Sequence, residues 1–429
     1  MKRILTLSLL VLLSLGLNAQ KTIIHAGRLI DGKSDQVLTS MSIVIEGNKI
    51  VSVDRGYTKG GKDDQVIDLK NKTVMPGLMD MHVHIESQSS PSSQLAGYIM
   101  NEADIAYDAQ VYANRTLMAG FTTVRDLGGS GVNVALRNAI NAGKVIGPRI
   151  YTAEKTIATT GGHGDPTNGA SNHLMGDPGP LDGVVNSEED ARKAVRQRYK
   201  NGADVIKITA TGGVLSVAKD GQGPQFKMDE LKGIIETANE YGMVSAAHAH
   251  GDEGMRRAVE AGITSIEHGT FMSDQTMDLM IKKGTYYVPT ISAGEFVVEK
   301  AKIPGFFPDV VVPKALEVGP QISATFSKAY KRGVKIAFGT DAGVFPHGDN
   351  GKEFIYMVKA GMKPMEVIKA ATMTASQLLR IESQYGSIES GKMADIIAVE
   401  GDPIQDVSTM TDVKFVMKDG KVYKKQVTR

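Results

Sequence analysis

Nine histidines and no cysteine are spread over the 429 residues, and several of the histidines have a placement that could do chemistry. His82 and His84 stand two apart in Asp80-Met81-His82-Val83-His84. On an extended strand both rings leave the same face and offer a cation a pair of imidazole ligands. His248 closes the apolar run Val244-Ser245-Ala246-Ala247-His248, His268 closes Thr264-Ser265-Ile266-Glu267-His268, and Asp341 closes Ala337-Phe338-Gly339-Thr340-Asp341. Singly, each reads equally as a satisfied structural residue. Together, at the ends of separate apolar runs, they are more than scattered core histidines supply. Lys207 lies among apolar neighbours in Val205-Ile206-Lys207-Ile208. Burial lowers the pKa of an amine, and a neutral amine can add carbon dioxide to give a carbamate that bridges two cations. An ion-paired core lysine is the other reading of Lys207. Without cysteine, disulfides, zinc ribbons, iron–sulfur clusters and thiol nucleophiles are excluded, so any metal rests on His, Asp, Glu or modified Lys.

The elements that must position these residues follow a rhythm. Six times a helical stretch ends at a glycine and an apolar, β-rich run follows: after Gly120, Gly202, Gly242, Gly262, Gly284 and Gly333. Glycine supplies the left-handed residue that ends a helix, and near-continuous apolar strands suit a parallel sheet covered by helices. With further strands at Val74 to His84 and Arg149 to Ala153, eight βα units predict an α/β fold, a (β/α)8 TIM-type barrel over residues 75–384. A doubly wound open sheet is the alternative, unsupported by any G-x-G-x-x-G or P-loop signature. In a barrel of this type the functional groups belong at the C-terminal ends of the strands, where all the residues above fall.

Short β-type runs at both chain ends, 20–74 and 385–429, are too few on either side to bury a core alone and predict one composite β-sandwich domain. Residues 1–19 read as a signal peptide, with Lys2 and Arg3 before an apolar stretch and a small residue, Ala19, before a cut at Gln20. The expected location is therefore outside the cytoplasm, periplasmic or extracellular, with no membrane partner after cleavage. Forty-nine basic against 48 acidic side chains give a formal charge of +1, too balanced for a generic binder of nucleic acid or anionic membrane. Assembly into a homo-oligomer is compatible with the sequence, which does not specify it.

The set His82-x-His84, Lys207, His248, His268 and Asp341, each on its expected strand, resembles the amidohydrolase superfamily over essentially the whole mature chain. The resemblance implies a binuclear centre: His82, His84 and Asp341 on a more buried ion, His248 and His268 on a more exposed one, and carboxylated Lys207 between them. Zinc suits these donors, as do manganese, cobalt and iron. Finer stretches, Thr160-Gly161-Gly162-His163-Gly164-Asp165, Ala247-His248-Ala249-His250-Gly251 and Gly339-Thr340-Asp341-Ala342-Gly343, resemble the Xaa-Pro dipeptidase and imidazolonepropionase-like branch. That implies a hydrolase releasing a C-terminal amino acid from a small peptide or N-acyl amino acid, through a metal-activated hydroxide with Asp341 as the proton acceptor. His163 and His250 are then candidate substrate contacts. Two other readings stay open: a hydrolase or deaminase acting on a ring amide or amidine, and a non-catalytic exported binding protein. His25 and His173 read as surface residues, His347 as undecided, Met75, Met79 and Met81 as core filler, and Gly212-Gly213 as lacking the partners of a phosphate loop.

Overall fold

The computed structural model describes residues 20–218 and 220–426. The expected signal peptide lies outside the described residues. The described residues fold as mixed α/β, with fourteen strands in three hydrogen-bonded sheets among them. In chain order these are β1 (Lys21–Leu29), β2 (Leu38–Glu46), β3 (Lys49–Arg55), β4 (Gln65–Pro76), β5 (Leu78–Val83), β6 (Phe121–Asp126), β7 (Arg149–Thr152) and β8 (Val205–Thr209). They continue with β9 (Val244–Ala249), β10 (Ser265–His268), β11 (Tyr286–Val288), β12 (Ile396–Glu400), β13 (Val413–Lys418) and β14 (Lys421–Lys425).

The two chain ends do fold together, but into one sheet where a sandwich of two was expected. Its order is β14-β13-β12-β4-β1-β2-β3, so β4 bonds β1 on one side and β12, from the other end of the chain, on the other. The sheet closes over its own core: Ile24, Ile45, Leu69, Ile396 and Phe415 belong to one buried cluster. The start of β3 meets the segment before β12 through the amide of Ile50 on the carbonyl of Lys392 at 2.9 Å.

Between the ends lie two parallel sheets, β5-β6-β7 and β8-β9-β10-β11. The expected strand from Val74 to His84 is two strands, broken at Gly77. The Gly77 amide donates to Asp395 of the terminal sheet, and a side chain there would strike Thr122 at 2.3 Å. The expected strand at 334–338 forms only a bridge at Ile336. It bonds Tyr287 on one side and Met81 on the other, but its Phe338 amide turns away to the carbonyl of Ala370, which interrupts the ladder. All six helix-ending glycines have positive φ, from 70° at Gly242 to 99° at Gly120.

Side-chain alternation stacks the site on a core. Val205 shares a face of β8 with Lys207, and Val244 and Ala246 share a face of β9 with His248. Val205, Val244, Ala246, Val288 and the expected filler residues Met79 and Met81 form a buried apolar cluster. The polar ends of the same strands stand above it. No helix among the described residues is long and apolar enough to cross a membrane.

Candidate metal centre

The structure brings His82, His84, Lys207, His248, His268 and Asp341 to one cavity of about 250 Å³, which His163 and His250 also line. Except for His84 and His163, which are half-buried, all of these side chains are buried. His82, His268 and Asp341 each offer a ligand atom within 4.8 Å of the others. His84 Nε2 lies 3.4 Å from Asp341 Oδ1. The His248 ring is centred 4.6 Å from that of His268.

Each ring is oriented by a partner that decides which nitrogen keeps its lone pair. His82 Nδ1 donates to Glu267 Oε2 at 3.0 Å and His84 Nδ1 to the carbonyl of Gly128 at 2.9 Å. Carboxylate and carbonyl oxygens only accept, so in both residues Nδ1 holds the proton and Nε2 faces the cavity as a donor of electrons. His268 Nδ1 bonds Thr290 Oγ1 at 2.7 Å, which presents Nε2 in the same way. His248 is reversed: its Nε2 donates to the carbonyl of Gly212 at 3.2 Å, leaving Nδ1 as the basic atom. Burial, reinforced by neighbouring positive groups, holds the pKa values of His82, His248 and His268 well below the usual histidine range and that of His84 at about 4. All four are therefore neutral, as metal coordination requires.

Asp341 supplies the test of whether this set fits a cation. Its Oδ1 is buried with no hydrogen bond, 3.4 Å from His82 Nε2 and 3.4 Å from His84 Nε2. The lone pairs of these three atoms converge, and among the described residues Lys207 offers a proton to that of His82 alone; a divalent ion among them would satisfy all three. Lys207 Nζ stands 3.4 Å from His82 Nε2. Burial pushes the lysine down and Asp341 up, each opposed by the other's charge. The backbone is also held in uncommon conformations here: His268, Thr290 and Asp341 all have φ between 53° and 68°, a cost of roughly 1 to 3 kcal/mol each that persists where the surroundings over-determine it.

Several supporting residues were not among the expected site residues. Glu267 is fully buried and pairs with Arg125 at 2.8 Å, itself fully buried, while also orienting His82. Asp80 accepts from the His82 amide, the Thr340 amide and hydroxyl, and Asn350, joining β5 to the segment that carries Asp341. The charged residues inside the apolar runs around Arg125 and Glu267 were the available sign. Gly212 and Gly213 have a role unrelated to anions: Gly212 orients His248, and a Cβ on Gly213 would lie 2.3 Å from the His163 ring.

Among the remaining histidines, His163 has its ring centred 4.4 Å from that of His248, with a buried Nδ1 that has no partner among the described residues. His250 bonds Thr270 Oγ1 at 2.7 Å through Nδ1. His347 is buried beside the site and bonds the carbonyls of His84 and Ser87, so it braces the loop after β5. His173 is exposed as expected. His25 is not: it is buried, because its Nε2 bonds the Thr58 carbonyl at 2.9 Å and its ring packs on Tyr57.

The chain is 58% identical to a solved Xaa-Pro dipeptidase with methionine bound in its active site, which it matches with a TM-score of 0.92 over 94% of this chain and all of that one. It is 31% identical to ochratoxinase from Aspergillus niger over 95% of this chain and 87% of the relative. With imidazolonepropionase from Alkaliphilus metalliredigens it shares 25% identity over 89% of each chain. Residues 73–423 match the amidohydrolase family, and the chain belongs to that family of enzymes.

Proposed function

We propose that this enzyme is a divalent-metal-dependent hydrolase of amide C–N bonds that releases a C-terminal amino acid from dipeptides or N-acyl amino acids. The observation that carries the reading is Asp341 Oδ1, buried without a hydrogen bond against two imidazole lone pairs. His82, His84, His248, His268, Asp341 and a carboxylated Lys207 would hold two ions, for which zinc suits the nitrogen and oxygen donors. Bound by these residues, such ions would supply Lewis acidity toward a carbonyl and a lowered pKa of water. Asp341 takes the proton released by water during attack and returns it to the departing amine. His163, whose Nδ1 has no protein partner among the described residues, faces the substrate's carbonyl or carboxylate oxygen. His250 contributes a substrate contact from the same side. The bound amino acid in the 58% identical dipeptidase supports an amino acid product here.

Steady-state cleavage of dipeptides and N-acyl amino acids, with free or amidated C-terminal carboxylate, tests the reading. Free acids should be cleaved with a kcat/KM higher by about two orders of magnitude or more, because the capped ends leave polar site groups unpaired. Equal values for the two forms would overturn release of a C-terminal amino acid and favour a ring amide as substrate.

The architecture proposed with this function is a closed (β/α)8 barrel over 75–384, with 20–74 and 385–429 as the second domain. Parallel bridges at Ile157 to Ile208, Tyr287 to Ile336 and Val83 to Ala342 support closure between the two inner sheets. We also propose export from the cytoplasm on the strength of residues 1–19. N-terminal sequencing of the exported protein should begin near Gln20, and an intact Met1 would contradict cleavage.

A further inference from the structure

Besides the histidine cluster, the cavity lining is largely apolar. Helices Ile291–Ala301 and Val312–Arg332 cross closely there, since a Cβ on Gly319 would come within 2.2 Å of Val298 and 3.0 Å of the Gly294 carbonyl. That approach turns Val297, Val318 and Ile322 into the cavity beside Val344, and Val214 and Leu215 complete the wall from the segment after β8. The charged side chains lining the cavity among the described residues are Lys207 and Asp341, both in the histidine cluster.

The segment 213–218 has no regular secondary structure to hold it. Lys314, buried on the second helix, does so: its Nζ donates to the carbonyls of Gly213 at 3.1 Å, Ser216 at 2.7 Å and Ala218 at 2.8 Å. All three N–H donors of the ammonium are thereby used. Val214 and Leu215 lie between the first and second anchor points. We propose that Lys314 is a positioning residue that assembles an apolar subsite beside the histidines and so selects substrates with an uncharged aliphatic side chain next to the scissile amide. This rests on the reading of the centre as an amide hydrolase. A charged side chain in the subsite would be buried without a partner, which is the larger penalty, while an aliphatic one replaces water at no polar cost.

The test uses the full chain supplied with Zn²⁺ and the dipeptides Gly-Leu, Leu-Gly, Gly-Asp and Asp-Gly. At one of the two positions leucine should exceed aspartate by about 100-fold in kcat/KM. Lys314→Met keeps the stem and removes the donors; it should cut that preference by about tenfold, more through KM than through kcat, and Lys314→Arg should restore part of it. Equal use of leucine and aspartate by the wild type overturns the subsite. A Lys314→Met variant whose kcat falls equally on both, with an unchanged preference, overturns the role of Lys314. Should that variant fail to fold, Leu215→Asp, at a half-buried position, is read in the same way, and an unchanged leucine preference in it counts against the subsite. Calorimetric binding of free leucine against free aspartate separates the two readings. If no dipeptide is cleaved but leucine binds more tightly, the hydrolase reading fails and the subsite stands; equal binding removes the subsite.

Discussion

The Oδ1 of Asp341 faces the Nε2 atoms of His82 and His84 with no donor of its own, and the Lys207 amine lies against the same His82 nitrogen. One amine cannot satisfy every lone pair in this group, whereas two cations and a carbamate can. The full chain prepared without chelator should therefore carry about two metal ions by elemental analysis. Lys207→Ala should carry fewer than one and lose turnover, with part of it returning on addition of short carboxylic acids that occupy the carbamate's place. Two ions retained in Lys207→Ala would remove the lysine from the centre.

At the scale of elements, His268 is set by Thr290, and Thr290 immediately precedes the helix Ile291–Ala301, whose start is fixed from a distance. The carboxylate of Glu353 accepts from the amides of Ile291 and Ser292 at 2.8 and 2.7 Å and from the Ser292 hydroxyl. A carboxylate at a helix N-terminus satisfies amides that have no partner within the helix. Complete burial nevertheless pushes Glu353 up from 4.5 to about 8. Between those two values the folded chain holds a proton at Glu353 that the unfolded chain has lost, so this residue's contribution to stability falls as pH rises through that window. Glu353→Gln cannot titrate. Its urea midpoint should fall less between pH 5 and pH 8 than that of the wild type, and parallel declines in the two proteins would show that Glu353 does not titrate there.

Across the whole molecule, the terminal sheet and the inner sheets meet at Arg149. From β7 it bonds Asp395 at 2.9 Å and Asp419 at 2.5 Å, and its guanidinium lies 3.9 Å from the centre of the Tyr385 ring. The side chains of Arg149 and Asp395 are 14% and 6% exposed, too little for water to replace the lost partner. Arg149→Ala should therefore cost roughly 3 kcal/mol, as breaking a buried pair does, and appear as a lowered melting temperature. A change within experimental error would mean that Arg149 does not help hold the two parts together.

The gathering of the candidate site residues was legible in the sequence because the signals are local. A histidine or aspartate that ends an apolar run marks the end of a strand, two-residue spacing puts His82 and His84 on one face, and a glycine after each helix marks the turn. Alternation likewise places Lys207 above Val205 and His248 above Val244 without knowledge of their neighbours. The partners that make those residues useful were not legible, because nothing local ties Glu267 to His82, Thr290 to His268, the Gly212 carbonyl to His248 or Lys314 to the segment 213–218. Distant backbone bonds also decided three elements. Asp395 helps divide β4 from β5 at Gly77, Ala370 takes the Phe338 amide and spoils an expected strand, and β4 joins both chain ends into one sheet. Residue type and periodicity determine which groups can reach a strand end. Ring orientation, lone-pair placement and burial depend on what the folded chain brings within about 3 Å of them, and only the tertiary structure decides that.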